Sequence, residues 1–462
     1  MAMSPGRVIY TRGSGACPHA QPPANPYSVS DLAGQLDIRL RPDAAPAVRI
    51  ASSRPLTAAG VFVGKPVATV AGQLPLLFSV CGTAQAVACA RACEAALELA
   101  PAPSAREART LLLRAETAKE HLWRLLLDWP KALARLDAAP GAVHPAAQSA
   151  QREAAMAAAM RAFLNLRAVL GAGGDPFLPG AGSIRPAADG VDAARAVLAA
   201  TATEQVFGAD AGQWLATTPT AADLHHWAAD TATPAAALVR AVTGAGLADF
   251  GRCDVETLPA AAEASGLLQQ LAPVLADAEA DAFIATPHLD GQARETTPFA
   301  RELARGGLVA ALAAVHGNGL LPRLAALLVE LARDTARLGA RVQDATDEPG
   351  DAAIAVAVGS AADLGPCVGL GAAPAARGLL VHRVAVTPAA TPDSAQVRDY
   401  RILAPTEWNF HPEGVVARGL ADIGAAGAGQ RAATSASGHL EALARLHVTA
   451  VDPCVDYRLS VS

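Results

Sequence analysis

At 462 residues the chain can bury a substantial core, in one large domain or in two or three smaller ones. Its net charge is −6, with acidic and basic residues interspersed and no dense basic stripe, which weighs against a nucleic-acid partner. Ala and Gly dominate and aromatics are only 4 %, a composition suited to closely packed helices with small side chains at their contacts. Met1 to Pro26 lacks an apolar h-region and is rich in Pro, Gly and Ala, so it is neither a signal peptide nor an anchor. Apolar runs such as Ala352 to Val358 fall well short of a bilayer span, and no membrane insertion is expected. Seven cysteines, an odd number, argue against a disulfide framework and for a reducing, cytoplasmic setting in which they act as thiols or thiolates.

In chain order, residues 1–30 are expected to be disordered and 31–462 to form one domain. Alternation in Leu36-Asp37-Ile38-Arg39-Leu40 and Val48-Arg49-Ile50 predicts a small hairpin or meander. Gly64-Lys65-Pro66 marks a loop, and a helix is predicted from about Gly82 to Leu99, stopped by Pro101 and Pro103. A second helix spans Glu107 to Leu127, with Leu111, Leu112, Ala115, Ala118, Leu122 and Leu125 at helical spacing. Further helices are expected over about 148–170, 191–202, 220–228, 234–243, 257–279 and 299–338, with a Gly/Pro-rich loop from Gly171 to Gly190 and a break near Pro322. Leu379 to Val386 and Tyr400 to Leu403 predict paired strands. A helix from about Ser437 to Leu446 leads into a strand-like tail. The fold class is therefore α+β, predominantly helical, with small β elements near both termini.

Two segments carry the chemistry. Val80-Cys81-Gly82-Thr83-Ala84-Gln85 and Asp452-Pro453-Cys454-Val455-Asp456-Tyr457 each look like half of a Cys-x-x-Cys clamp, with Ala84 and Tyr457 where second cysteines would stand. A binuclear metal centre needs all four thiolates. Cys81 at a helix start gains thiolate stabilisation from the helix dipole, and Cys454 follows Asp-Pro in a rigid turn. Cys89 and Cys93, one helical turn apart among alanines, are expected to pack in the core, with a second metal site as the alternative. Cys17 with His19 suggests adventitious metal binding at most, and Cys253 and Cys367 have no ligand-like neighbours. Glu116, Glu120 and His121 are expected to be solvated or paired with Arg109 and Arg114 at helical spacing. His382 fits a satisfied core histidine. Trp408, Asn409 and His411 are expected to fix the local fold, with Asn409 capping backbone groups.

The order of these pieces resembles nickel–iron hydrogenase large subunits. AARGLLVHRVAV (Ala375 to Val386), YRILAPTEWNFHPEG (Tyr400 to Gly414) and the closing Asp452-Pro453-Cys454 match the C-terminal half of that family. Ser53-Arg54-Pro55, Val63 to Pro66, Phe78 to Gly82, Ala108 to Trp123 and Ala293 to Arg301 match in order upstream. In that family the first cysteine of each pair binds nickel and the second bridges nickel and iron. A Glu-Gly-His there relays protons; the matching stretch here, Ala33-Gly34-Gln35, has no acid. The family precursor also has a histidine after its last cysteine and a cleaved extension, whereas this chain has no histidine after Cys454 and runs eight residues past it.

The profile is similar to the large-subunit-like hydrogenase expression/formation proteins of the HupK/HoxV type. That resemblance implies a hydrogenase large-subunit-like fold and a non-catalytic scaffold in hydrogenase maturation. It would hold an Fe(CN)2(CO) fragment transiently through Cys81 and Cys454, with the Arg377 guanidinium donating charge-assisted hydrogen bonds to a cyanide ligand. Soft thiolates suit low-spin iron, and no nickel is expected. The implied partners are maturation chaperones and the hydrogenase large subunit. Two alternatives stay open: a divergent large subunit that is an enzyme, and a metal-free mimic that binds chaperones.

Overall fold

The computed structural model describes residues 34–78, 80–136, 146–259, 264–339, 355–358, 367–389, 391–428 and 435–462; the expected disordered segment 1–30, with Cys17 and His19, lies outside them. Leu36, Ile38 and Leu40 bury one side of strand β1 (Gln35–Leu40), which pairs antiparallel with β2 (Val48–Ser52). Helix α1 (Val67–Leu77) leads to α2 (Gly82–Leu97), which ends at a left-handed Glu98. Pro103 opens α3 (Pro103–Trp123) at a position that needs no intrahelical N–H. The chain then widens into a π turn, Arg124–Asp128, before α4 (Trp129–Ala134). Such turns insert an extra residue and recur at functional sites.

The middle of the chain is helical: α5 (Ala146–Ala172), α6 (Ala188–Ala202), α7 (Ala211–Thr217), α8 (Ala221–Asp230), α9 (Pro234–Gly244), α10 (Ala264–Ala276) and α11 (Ala280–Ala285). The helix expected over 257–279 is thus shorter and followed by a separate turn of helix. Among the described residues one stretch, Ser149–Ala172 in α5, is long and apolar enough to cross a bilayer. Its Met156, Ala159, Phe163, Leu166 and Leu170 are buried in the main core, where α5 packs on α3 and α6.

The single helix expected over 299–338 is three: α12 (Pro298–Arg305), α13 (Gly307–His316) and α14 (Leu320–Gly339). The breaks fall at Gly306-Gly307 and Gly317, all at positive φ, not at Pro322. Pro322 sits in the first turn of α14, where its missing N–H removes no helical bond.

Strands β3 (Ala355–Val358), β4 (Cys367–Ala375), β5 (Gly378–Val386) and β6 (Val397–Leu403) form an antiparallel sheet in that order. Helices α15 (Pro405–Asn409), α16 (Val415–Ala428) and α17 (Ser435–Val451) precede β7 (Asp456–Val461). Strand β7 pairs parallel with β1, Gln35 against Asp456 through Leu40 against Val461, so the two ends of the chain share one sheet, ordered β2-β1-β7.

The four-stranded sheet is covered on both faces: α2 lies on β4 and β5, while Leu267, Leu268 and Leu271 of α10 pack with Leu370, Val381 and Leu403 on the other side. Strand β4 was not expected, because CVGLGAAPA has little strand propensity. Its glycines are what α2 requires. A Cβ on Gly371 would stand 2.3 Å from the Ala92 nitrogen and 2.5 Å from the Ala88 oxygen, and one on Gly369 2.1 Å from the Ala92 oxygen. Gly371→Ala should therefore lower stability by about 3 kcal/mol or more through overpacking, read as a lower urea midpoint at unchanged m-value; an unshifted midpoint would show that α2 does not bear on this strand.

Candidate functional site

Arg377 sits at the tip of a two-residue hairpin, where Ala375 pairs with Gly378, yet it is buried. Gly378 has φ +141°, and a Cβ there would stand 2.2 Å from the Thr296 oxygen, so only glycine lets the tip press so close. Thr296 Oγ1 accepts from the Leu379 N–H (2.9 Å). Asn409 completes the clamp: its Oδ1 accepts from the Thr296 N–H (2.9 Å) and its Nδ2 donates to the Arg377 carbonyl (3.0 Å), the backbone-capping role expected of it.

The pinned guanidinium faces two carboxylates, Arg377 Nη1 at 3.0 Å from Glu120 Oε2 and Nε at 3.1 Å from Asp452 Oδ2. Neither approach is aligned as a hydrogen bond, so these two N–H groups are paired in charge but keep unused donor capacity. Asp452 comes from the end of α17, where it adopts a left-handed φ of +67° and its N–H bonds back to Val448 (2.9 Å), with Pro453 after it to stop the helix. Arg124, on the π turn, holds the other Asp452 oxygen at 2.5 Å and also pairs with Asp128, while Lys119 lies 2.5 Å from Glu120.

Cys81 and Cys454 come together beside this cluster, near enough that charge on either thiol would act on the other and on Arg377 and Arg54. Cys454 Sγ contacts Thr406 Oγ1 at 2.8 Å, and Gln85 Nε2 approaches Cys81 Sγ at 3.7 Å. The expected stabilisation of a Cys81 thiolate is reversed. Burial first, then the charges of Cys454 and Glu116, push the thiol up to about 12, against the pull of Arg377 and Gln85. At the start of α2 the N–H groups of Thr83 and Ala84 donate to the Glu116 carboxylate at 2.8 and 3.0 Å. The anion-binding end of the helix is thus taken by Glu116.

Residues taken for solvated or locally paired are buried and partnered across the fold. Glu116 and Glu120 serve the site, His121 Nε2 lies 2.7 Å from Glu330, itself clamped by Arg301, and Arg109 forks onto Glu94. His382 is buried with Nδ1 2.9 Å from the Tyr400 hydroxyl, but its Nε2 has no partner, so it is only half satisfied. Burial holds it neutral, at about 3. Cys89 and Cys93 are fully buried with sulfurs 4.0 Å apart, and Cys253 accepts from Asn318 Nδ2 at 3.5 Å.

Arg54 was not singled out from the sequence, although Ser53-Arg54-Pro55 belongs to the matching motifs. It pairs with Glu407 at 2.7 Å, and burial would lower its pKa were it not for Glu407, Cys454 and Cys81, which raise it. Gly34, at φ +72°, lets β1 run against it, since a Cβ there would stand 2.5 Å from Arg54 Cα. Ala84 is fully buried, and Tyr457 is held in β7 opposite Leu36. Among the described residues no group of three or more His, Cys, Asp or Glu side chains could hold a metal ion.

The chain is 31 % identical over 411 residues to the hydrogenase expression/formation protein HoxV of Cupriavidus necator, covering 88 % of this chain and 91 % of that one. The chain belongs to the HoxV/HupK family of hydrogenase expression/formation proteins. HupK of Azotobacter vinelandii is 29 % identical, over 93 % of this chain and 99 % of its own. No family model matches the chain. The fold is that of nickel–iron hydrogenase large subunits. An NAD+-reducing NiFe hydrogenase in its H2-reduced state superposes with TM-score 0.58 at 16 % identity, covering 88 % of this chain and 92 % of that one. The reduced Ni-Fe-Se hydrogenase of D. vulgaris Hildenborough does so with TM-score 0.53 at 14 % identity over the same shares. This chain thus has a large-subunit fold in which Cys81 and Cys454 lie close to one another.

Glu120 gives the ion cluster a measurable pH signature. Although burial raises it, Arg377 and Lys119 hold it at about 2, below its ordinary value of 4.5. A depressed carboxylate contributes stability that is present above the ordinary value and is lost as pH falls through the folded one, here on the order of 3 kcal/mol. Glu120→Gln should therefore be less stable than wild type at pH 7, with the gap narrowing between pH 4.5 and 2 in urea titrations; a gap that stays constant would remove the charge from the account.

Proposed function

We propose that the chain is a non-catalytic scaffold of nickel–iron hydrogenase maturation, which transiently holds an Fe(CN)2(CO) fragment before its transfer to the large subunit. The observation that carries this reading is the meeting of Cys81 and Cys454 beside Arg377 and Arg54, with Ala84 and Tyr457 at the second clamp positions. Two thiolates can ligate one soft-binding iron, and each must lose its proton as the metal binds. Arg377 keeps donor capacity for an anionic ligand, for which a guanidinium is suited. Without the bridging cysteines the bimetallic arrangement that splits hydrogen has no anchor, so the protein is not an enzyme in this reading. Its partners are the maturation chaperones that deliver the fragment and the hydrogenase large subunit that receives it. We assign this work to the cytoplasm, where thiols stay reduced.

Infrared spectra of the chain co-produced with the maturation machinery should contain bands of metal-bound carbon monoxide and cyanide, without stoichiometric nickel. Cys81→Ala with Cys454→Ala should abolish the bands and stall hydrogenase maturation. Absence of the bands from the wild type, or their survival in the double variant, overturns the proposal. One observation favours a second reading, a metal-free mimic of the large subunit: the Arg377 charge is already matched by Glu120 and Asp452. That reading expects normal hydrogenase maturation in the double-cysteine variant, whereas a divergent enzyme would carry nickel and take up hydrogen.

A further inference from the structure

The chain as a whole is acidic, yet the outer face of its terminal sheet collects arginine. Alternate residues of a strand share a face, so the β1–β2 register sets Arg39 opposite Arg49 and the β1–β7 register puts Arg458 on the same face, opposite Asp37 and diagonal to Arg39, with all three arginines exposed. Arg41 and Arg445 extend the group, and together they line an open groove of about 850 Å3. No sequence window could show this stripe, because its members come from residues 39, 49 and 458. Arg39 and Arg49 are direct cross-strand partners, a like-charge placement that weakens a sheet unless an anion offsets it. The nearby carboxylates leave positive charge over. Asp37 pairs with Arg39 at 2.7 Å and also faces Arg458, its register partner, so one carboxylate serves two arginines. Glu441 pairs with Arg445 at 2.7 Å, while among the described residues Arg49 has no ion pair within 4 Å.

We propose that this face is a docking surface for an acidic polypeptide segment, whose carboxylates seat on Arg49, Arg458 and Arg39. Asp37 and Asp456 also stand on the face. A nucleic-acid backbone, charged at every step of about 3.4 Å along a strand, would meet both, whereas a polypeptide can place its carboxylates between them. Arginine forks bind carboxylates in a bidentate, directional way. The position also bears on the thiol site. Strand β7 starts two residues after Cys454, so a segment bridging Arg458 to Arg39 and Arg49 holds the Cys454 tail onto the rest of the sheet. The surface stands whatever the thiols carry.

Fluorescence anisotropy with the full chain tests it. The probe is a labelled peptide of alternating Glu and Ser, set against the same peptide with Gln for Glu, a single-stranded oligonucleotide of equal charge and phosphatidylglycerol vesicles. The Glu peptide should bind saturably and more weakly as salt rises, and the Gln peptide should not bind. Arg49→Gln with Arg458→Gln should weaken binding roughly tenfold or more, while Arg418→Gln, an exposed arginine elsewhere, leaves it unchanged. No saturable binding, equal binding by the double variant, or tighter binding of the oligonucleotide or the vesicles overturns the proposal. If the double variant melts early, Arg49→Gln alone at its exposed position must still weaken binding, and an unchanged affinity there overturns it equally.

Discussion

One buried guanidinium joins the parts of this molecule that matter most. Arg377 is carried by the β4–β5 hairpin, Glu120 by α3 and Asp452 by the turn after α17, and the three meet with the solvent largely excluded. Removing one member would strip its neighbours of part of their compensation, although Lys119 still faces Glu120 and Arg124 still faces Asp452, and breaking a buried pair costs more than never having buried it. Such an arrangement is weak evidence for stability. Here it fixes geometry, because Asp452 is two residues from Cys454 and Glu120 is one helical turn from Glu116, which closes the start of α2 beside Cys81.

The same economy governs how the backbone approaches itself. Gly34 under Arg54, Gly378 against Thr296, and Gly369 and Gly371 under α2 are contacts that no side chain would permit. They bring strands and helices near enough for short polar side chains, Thr296, Thr406 and Asn409, to reach the backbone or sulfur of the site. An alanine-rich α2 is the counterpart: its small side chains let a helix lie directly on a sheet.

Much of this was legible in the sequence. The alternation around Leu36 and Ile38, the long amphipathic α3 and the strand at Leu379 follow from periodicity, and the two half-clamps with Arg377 follow from motif order. Periodicity failed where tertiary packing outweighs propensity. The Gly/Ala/Pro-rich β4 is a strand because β5 and α2 hold it, and the run after Pro298 breaks at glycines instead of at Pro322. Charges were the other failure. Glu116, Glu120 and His121 have helical neighbours that explain them locally, but their partners are Thr83, Arg377 and Glu330, which no local spacing reveals. The Cys81 expectation failed because burial outweighs the helix dipole, whose N–H groups are in any case taken by Glu116.

The parallel pairing of β7 with β1 has a consequence in time. Gln35 and Asp456 are register partners although roughly 420 residues separate them along the chain. At a synthesis rate of about 5–20 residues per second, β1 emerges from the ribosome tens of seconds before the strand it must pair with. Until then β1 has β2 on one edge and nothing on the other, and Cys81 has no second sulfur beside it. The two-sulfur site is therefore a late product of the chain's maturation, and it reports that β7 has found its place.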